Sequence, residues 1–179
     1  MTEKIQAAFD YKIMRHILNS AGIERFTSFA FDMVRLGIGL HGISVAEAPL
    51  IPVSTFKTYI ASVRKVKSGE TIGYGRKGKT ERESLIAVVP VGYADGLNRH
   101  LSNGVGEMWV RGTRVPIIGN ICMDTCMLDV TDTGAQVGDE VEIFGKNILV
   151  TEVAAKLSTI PYEVLTSVAQ RVKRVYCRS

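Results

Sequence analysis

Two tyrosines of the sequence stand between small residues, in Gly73-Tyr-Gly75 and in Gly92-Tyr-Ala-Asp-Gly96. Glycine weakens a strand, so the flanking glycines indicate a bend or a close approach by another backbone. One interpretation of Tyr74 is a turn residue that lies on its own sheet. The other is a phenol held out as an acid or base, because the basic stretch Arg76-Lys-Gly-Lys79 follows it and cationic neighbours favour phenolate. Tyr93 has similar small neighbours, and two such tyrosines favour one shared site.

An acidic residue lies among sulfur-bearing apolar residues in Cys122-Met-Asp-Thr-Cys126. Asp124 is either an aspartate bonded to a turn or a carboxylate of a site. The three cysteines of the chain are few and odd in number, which indicates reduced thiols in a cytoplasm rather than a disulfide framework. No cysteine pair has the C-x-x-C spacing and no histidine lies nearby, so we expect no metal site.

The stretch Gly37-Ile-Gly-Leu-His-Gly42 matches the G-x-G-x-x-G pattern of dinucleotide-binding proteins. Its context differs from theirs, because no helix-forming stretch follows and no acidic residue ends a second strand about 20 residues further on. A phosphate site of another kind stays open. Loops after the last two strands of a (β/α)8 barrel commonly bind phosphate through backbone N–H groups, and Asn19–Gly22 and Leu36–Gly39 follow two successive predicted strands.

Two basic side chains fall on those predicted strands. Arg35 ends a segment of Met, Val and Leu, and it lies either at a surface edge or inward. An inward arginine needs an acceptor, because a buried unpaired charge is very costly. His16, in Met14-Arg-His-Ile-Leu18, is by itself best interpreted as a hydrogen-bonded core histidine.

The elements that position these residues change in character near Pro49–Pro52. Before this point, Tyr11–Asn19 and Asp32–Leu36 are predicted strands joined by a short helical link, the pattern of a parallel βαβ unit. Two strands cannot build a parallel sheet with a core of its own. We therefore expect residues 1–50 to be the end of a larger element.

The rest of the chain is predicted to be β-rich, with short strands whose spacing favours a barrel or a sandwich. The predicted strands are Thr55–Val66, Leu85–Val91, a hairpin of Glu107–Val110 with Arg114–Ile118, Ile121–Val130 and Glu140–Phe144. Helices are predicted at Thr151–Leu157 and Pro161–Ala169, followed by a last strand at Arg171–Cys177.

Composition limits the classes of function. The chain has 179 residues, 46% of them apolar, which suffices for a buried core. The net charge of +4 permits an anionic ligand, but the basic residues are scattered among acids, so no nucleic-acid partner is expected. No apolar run approaches the about 20 residues of a membrane span, and the first residues do not form a signal peptide. We expect a cytoplasmic protein with no membrane partner.

Five motifs, taken in chain order, resemble the C-terminal half of alanine racemase. They are His16–Ser20, Phe31–Ile38, Gly73–Gly75, Val91–Gly96 and Ile121–Asp124. The resemblance implies a mostly β fold, in which residues 52–179 form the β-barrel-like C-terminal domain of that family. Residues 1–50 would then be the last strands of a (β/α)8 barrel that binds pyridoxal phosphate.

The resemblance also implies an activity, the pyridoxal-phosphate-dependent racemisation of L- and D-alanine that supplies D-alanine for peptidoglycan in the cell wall. Racemisation removes a proton from one face of Cα and returns one to the other face, so it needs two acid/base groups. Tyr74 matches the catalytic tyrosine of the family, and the second group is the cofactor lysine. No segment resembles the strand that carries this lysine, nor the upstream arginine that helps to hold substrate. The chain alone is therefore expected to be inactive.

Cofactor-binding residues follow from the same resemblance. Arg35 would face the pyridine nitrogen and His16 would hydrogen-bond to this arginine. Ser20 and the backbone amides of Gly37 and Ile38 would hold the phosphate.

Substrate-binding residues are implied in the second half of the chain. The backbone at Met123 would contact the alanine carboxylate, while Tyr93 and Asp124 would line the entrance. The family is homodimeric, with an active site shared between subunits. Tyr74, Tyr93 and Met123 would thus serve the cofactor that the partner's barrel binds.

Two positions depart from the family. Gln170 stands where some relatives carry a phosphate-binding tyrosine, and His41 stands where a tyrosine is common. A racemase for another amino acid stays open, as does a stand-alone β-barrel binding module that uses its basic tail, Arg171–Arg174, on an anionic partner. The two tyrosine matches and Cys122–Asp124 argue against the module, which has no need of them.

Overall fold

The computed structural model describes residues 2–177, which fall into two compact units that divide between Val53 and Ser54. The first unit contains two short helices, α1 (Thr2–Gln6) and α2 (Ser20–Arg25). It also contains two turns of 3-10 helix, at Thr27–Phe29 and Ile38–His41. The helical link predicted after Asn19 is therefore confirmed as α2.

The two strands predicted in the first unit are wrong as regular strands. One parallel bridge joins His16 to Met33, and it is flanked by hydrogen bonds from Asp32 N–H to the Arg15 carbonyl (3.1 Å) and from Arg35 N–H to the Leu18 carbonyl (2.8 Å). The parallel direction is that of a βαβ unit. A continuous ladder does not form, because two parallel segments without further strands beside them lack the pairing that sustains a sheet.

The second unit is built mainly of antiparallel strands. They are β1 (Phe56–Tyr59), β2 (Ser62–Val66), β3 (Thr71–Ile72), β4 (Gly78–Lys79), β5 (Ser84–Val89), β6 (Glu107–Val110), β7 (Thr113–Pro116), β8 (Cys126–Asp129) and β9 (Glu140–Phe144). One sheet has the order β1-β9-β6-β7, a second has the order β2-β5-β8, and β3 pairs with β4 in a small hairpin. Two helices follow, α3 (Val150–Lys156) and α4 (Pro161–Ser167).

Side chains from both larger sheets and from α3 and α4 share one buried core. Its fully buried members include Met108 on β6, Leu128 on β8 and Val141 on β9. A smaller cluster of Ile72, Ile86 and Met127 lies under the β3–β4 hairpin. The hairpin is therefore anchored by apolar contacts although it has only two residues per strand.

Several predicted elements of this unit are confirmed. The β6–β7 hairpin has its turn at Arg111 and Gly112, with φ of 46° and 84°, the left-handed pair that matches the twist of a two-residue hairpin. Both helices lie within two residues of their predicted bounds, and Pro161 occupies the first turn of α4. The mostly β fold expected for the chain is that of the structure.

Three predicted strands are shorter than expected or absent. The segment Thr55–Val66 splits into β1 and β2, because Ile60 N–H bonds to the Asp139 carbonyl while Ala61 N–H bonds to the Val88 carbonyl of the other sheet. The chain therefore changes sheet at this point. Of the segment Ile121–Val130, only β8 is a strand. The tail 171–177 forms no strand.

Within residues 2–177, no helix is both long enough and apolar enough to cross a membrane.

Candidate functional site

Tyr74 lies on a tight turn between β3 and β4. Gly73 and Gly75 both have left-handed backbone angles, with φ of 73° and 67°. Glycine is favoured at position 73 by this backbone conformation, since side chains rarely adopt it. The Tyr74 side chain is 76% exposed. Tyr74 is therefore a turn residue, as one interpretation expected, but its ring is not packed on its own sheet and the phenol is exposed.

A loop formed by Asn120–Asp124 lies beside this turn. The side-chain amide of Asn120 donates to the Tyr74 carbonyl oxygen at 3.0 Å, and its side-chain oxygen accepts from Asn103 at 3.1 Å. The next residue, Ile121, is buried, and its N–H donates to the Ser102 hydroxyl at 2.9 Å. The loop is thus fixed at its first two residues and at the same time bonded to the Tyr74 turn.

The second tyrosine is bonded to the same loop. Tyr93 N–H donates to the Cys122 carbonyl and Ala94 N–H to the Met123 carbonyl, each at 3.0 Å. Gly92 lies so close that a Cβ there would be 2.3 Å from the Met123 carbonyl oxygen. These bonds explain why residues 121–125 are not a strand, because their carbonyls accept from the Tyr93 turn rather than from a neighbouring strand. Tyr93 and Met123 remain about half exposed.

Asp124 makes an ion pair that the sequence did not predict. The guanidinium of Arg171 donates through Nη2 to the Asp124 carboxylate at 2.6 Å and through Nε to the Asp95 carboxylate at 2.7 Å. The other oxygen of Asp95 accepts from Gly92 N–H at 2.9 Å. The two carboxylates, Asp95 first and Asp124 second, raise the pKa of Arg171. The only sequence signals were the dense basic tail and the acidic residue of the Gly92–Gly96 motif.

The cysteines near the loop are free thiols. Cys126 is buried on β8, and burial, followed by the proximity of Cys122, raises the pKa of its thiol far above the usual range. Cys126 is therefore a core residue with a protonated thiol. Within residues 2–177, no group of three His, Cys, Asp or Glu side chains is arranged to hold a metal ion.

In the first unit, Ser20, Gly37 and Ile38 lie together. The buried Ser20 hydroxyl accepts from Gly37 N–H at 2.9 Å and from Gly39 N–H at 3.3 Å. Ser20 begins α2, which Asn19 caps by accepting from Gly22 N–H at 3.0 Å. The glycine-rich stretch and the start of α2 are therefore connected through one hydroxyl group.

The hydrogen bond expected between His16 and Arg35 is not formed. The Arg35 guanidinium donates to the Ile17 carbonyl oxygen at 3.1 Å, and within residues 2–177 no hydrogen bond joins Arg35 to His16. Both side chains are exposed, so the interpretation of His16 as a core histidine is also wrong. The two residues still lie on the paired segments, His16 at the parallel bridge and Arg35 two residues after it on the other segment.

Comparisons with known proteins agree on one family. The family described as "Alanine racemase, C-terminal domain" matches residues 53–176. An alanine racemase of Desulfosudis oleivorans is 45% identical over 188 residues, covering 99% of this chain and 48% of that protein. Alanine racemase 2 of Caldanaerobacter subterraneus is 46% identical over 173 residues, covering 91% of this chain and 44% of that protein.

Solved structures give the same result. Alanine racemase from Streptomyces lavendulae superposes with a TM-score of 0.92 at 32% identity, covering 99% of this chain and 49% of that one. The Bartonella henselae alanine racemase, solved with covalently bound pyridoxal phosphate, gives 0.89 at 35% identity, with coverage of 98% and 50%. The fold is thus that of a racemase C-terminal domain. The chain belongs to the alanine racemase family, and it spans about half the length of the relatives that it matches.

Proposed function

We propose that this chain acts as the C-terminal half of an alanine racemase that interconverts L- and D-alanine with pyridoxal phosphate. One observation carries the proposal. The exposed phenol of Tyr74 stands on a double-glycine turn that is bonded, through Asn120, to the loop of Met123 and Asp124. Named alanine racemases share about 45% identity with the chain that builds this arrangement.

The donor set around Ser20 fits the phosphate of that cofactor. Phosphate oxygens accept hydrogen bonds, and the Ser20 hydroxyl, which accepts from the Gly37 and Gly39 N–H groups, still has its own O–H to donate. Ser20, Gly37 and Ile38 would hold the phosphate. When bound, the cofactor would supply the electron-withdrawing ring that makes the Cα–H bond of alanine acidic. Its attachment lysine has no match in this chain.

Arg35 would lie against the pyridine nitrogen of the cofactor. A guanidinium does not give up its proton under ordinary conditions, so Arg35 would keep that nitrogen largely unprotonated. In this role Arg35 would favour racemisation over side reactions such as transamination. In this structure Arg35 is held by the bond from its guanidinium to the Ile17 carbonyl oxygen.

Tyr74 would remove or return the proton on one face of Cα. One fixed group cannot reach both faces, so the opposite face needs a second base, which the cofactor lysine would provide. The Met123 backbone would hold the substrate carboxylate, with Tyr93 and Asp124 at the entrance. In a homodimer these residues, together with Tyr74, would face the cofactor on the partner's barrel. The D-alanine formed would serve cell-wall synthesis in the cytoplasm.

Assay of the full-length protein that contains this chain tests the proposal. With pyridoxal phosphate present, L-alanine should give D-alanine and D-alanine should give L-alanine, as measured by chiral chromatography. The chain by itself should give neither, and borohydride reduction should leave no cofactor attached to its lysines, because the amine must be both positioned and deprotonated. A full-length protein that racemises only another amino acid would refute the assignment of alanine.

A further inference from the structure

We propose that Arg171 is a positioning residue that sets the geometry of the substrate entrance by joining two loops through their carboxylates. The inference rests on the proposed function, since Tyr93, Met123 and Asp124 are the entrance residues in that proposal. Arg171 contacts Asp95 and Asp124 with different nitrogens, Nε and Nη2, at 2.7 and 2.6 Å. A single guanidinium therefore connects the tail to both sides of the entrance.

Each carboxylate belongs to a segment that carries an entrance residue. Asp95 lies two residues after Tyr93 and closes its turn by accepting from Gly92 N–H. Asp124 follows Met123 directly. The backbone bonds from Tyr93 and Ala94 to the carbonyls of Cys122 and Met123 join the same two segments. Arg171 adds the charged connection between their side chains.

The tail can act as a fixed support because it is itself held in place. Ala169 N–H donates to the Asp95 carbonyl at 3.0 Å, and the Ser167 hydroxyl donates to the Gly96 carbonyl at 3.2 Å. Gly96 has a φ of 103°, and a Cβ there would lie 2.4 Å from the Ser167 carbonyl oxygen. The Arg174 guanidinium donates to the carbonyls of Val168 and Val172. These bonds hold residues 168–174, which follow α4 and form no strand or helix, against the Tyr93 turn.

Charge gives Arg171 an effect that backbone bonds cannot replace. Both carboxylates contact one guanidinium, so they lie near each other, and the Asp95 side chain is only 15% exposed. Without the cation, two like charges face each other with little solvent to screen the inner one. We expect the loops to separate and the entrance residues to shift. A shift of about 1 Å in positioning groups can lower a rate substantially.

The test uses the full-length protein with Arg171→Gln, Arg171→Lys and, as a matched control, Arg82→Gln. Arg82 makes an ion pair with Asp132 on the same unit, and its guanidinium has no bond to the entrance segments. For Arg171→Gln we expect kcat/KM for alanine to fall about tenfold, mostly through a higher KM, because the affected residues bind substrate. The kcat/KM of Arg171→Lys should lie between those of Arg171→Gln and the unsubstituted protein, since lysine keeps the charge but lacks the planar fork whose Nε and Nη2 reach the two carboxylates. Arg82→Gln should leave both constants within about twofold.

A second substitution tests the role of charge. In the Arg171→Gln background, Asp95→Asn removes one of the two facing charges, while its side-chain oxygen can still accept from Gly92 N–H. Part of the lost kcat/KM, about threefold, should return. The proposal would be overturned if kcat and KM of Arg171→Gln lay within twofold of those of the unsubstituted protein. It would also be overturned if the double variant recovered none of the lost kcat/KM.

Amide hydrogen exchange of the chain separates this inference from the proposed function. Arg171→Gln should speed exchange in residues 92–97 and 120–126, whereas exchange in β6 and β9 should stay unchanged. Uniformly faster exchange would indicate general destabilisation and contradict a positioning role. If the unsubstituted full-length protein fails to racemise alanine, the proposed function is refuted by that result alone, and the role of Arg171 in racemisation falls with it.

Discussion

Asn120 and Tyr74 are joined by a hydrogen bond of 3.0 Å from the Asn120 side-chain amide to the Tyr74 carbonyl oxygen, across 46 residues of sequence. This bond connects the turn that holds the phenol to the loop that presents the Met123 backbone. In the proposed function, Tyr74 as the acid/base group and the Met123 backbone as the site for the substrate carboxylate would have to keep a fixed separation for proton transfer at Cα. The bond provides a direct physical basis for that separation.

Tyr74→Phe in the full-length protein should lower the racemisation rate about 10²- to 10⁴-fold while leaving stability nearly unchanged. Phenylalanine keeps the ring but removes the oxygen that carries the proton. Exchange of the Cα proton with deuterated solvent should persist for one enantiomer and collapse for the other, because only one face depends on Tyr74. Proton NMR of alanine in D₂O measures both.

The control for this experiment is Tyr59→Phe, which removes a hydroxyl from another exposed tyrosine, on β1. It should retain full activity. Tyr74 would have no face-specific catalytic role if Tyr74→Phe slowed Cα exchange of both enantiomers equally. The same conclusion would follow if it slowed neither.

Arg35→Lys should slow Cα exchange of both enantiomers, since it disturbs the cofactor that both faces share. Lysine can lose its proton, and its single ammonium lacks the planar shape of the guanidinium. The matched control is Arg25→Lys, because Arg25 is also exposed and also donates to one backbone carbonyl, that of Val45, at 2.8 Å. Loss confined to one enantiomer would contradict the placement of Arg35 at the cofactor ring.

Ser20→Ala should weaken binding of pyridoxal phosphate to the full-length protein by about 10- to 100-fold, the effect of losing a hydrogen bond to a charged group. The change also leaves two N–H groups, of Gly37 and Gly39, without their acceptor. Fluorescence titration with the cofactor measures the affinity. Ser28→Ala, at an exposed position in the turn after α2, is the control and should change neither affinity nor stability.

The sequence predicted those parts of the fold that local signals determine. The β6–β7 hairpin follows from its Arg111–Gly112 turn, and α4 follows from Pro161 at its start. Residues 121–125 could not be predicted in the same way, because the apolar run Ile121–Met123 favours a strand. Their carbonyls instead accept from the Tyr93 turn, a contact about thirty residues away. Long-range pairing overrides strand propensity here.

In the candidate site, too, local signals predicted some residues while others depend on long-range contacts. Tyr74 and Tyr93 could be selected because flanking glycines mark unusual backbone in the sequence itself. Arg171 could not, since its role depends on the tail folding back onto Asp95 and Asp124. Nothing in the local sequence distinguishes it from Lys173 or Arg174. The exposure of the His16 side chain was not predicted either. The burial of a side chain depends on which other segments pack against its own, and the local sequence does not give this.

Limited proteolysis of the chain should remove residues before about 54 first. The first unit exposes large apolar side chains near its end, with Ile51 81% and Val53 67% exposed, and it contains no regular strand among residues 2–53. The second unit contains the large buried core. Local opening is therefore easier in the first unit. Mass spectrometry of the early fragments identifies the cut, and equal resistance of both units would contradict an independent second unit.

The pair formed by Arg114 and Glu152 should contribute to the dependence of stability on pH in acid. Arg114 donates to both oxygens of the Glu152 carboxylate, at 2.7 and 3.2 Å, and the same carboxylate accepts from Leu149 N–H at the start of α3. The Arg114 guanidinium is the main reason why the pKa of Glu152 is lowered, and the backbone bond adds to the effect. A lowered pKa in the folded state means that the pair stabilises the protein above the unfolded pKa. This stabilisation is lost as the pH falls through the folded pKa.

Glu152→Gln should therefore lower the urea midpoint at pH 7 by only a few tenths of a molar unit, because both side chains are partly exposed and solvent screens the pair. At a pH below the folded pKa the two proteins should have nearly equal midpoints, since the carboxyl group is protonated in both states. Glu81→Gln is the control, at an exposed carboxylate with no ion pair within residues 2–177, and it should show no such convergence. If the difference in urea midpoint between Glu152→Gln and the unsubstituted protein stayed constant from pH 7 into acid, the loss of stability would come from packing or capping at α3. It would then not come from the charge of Glu152.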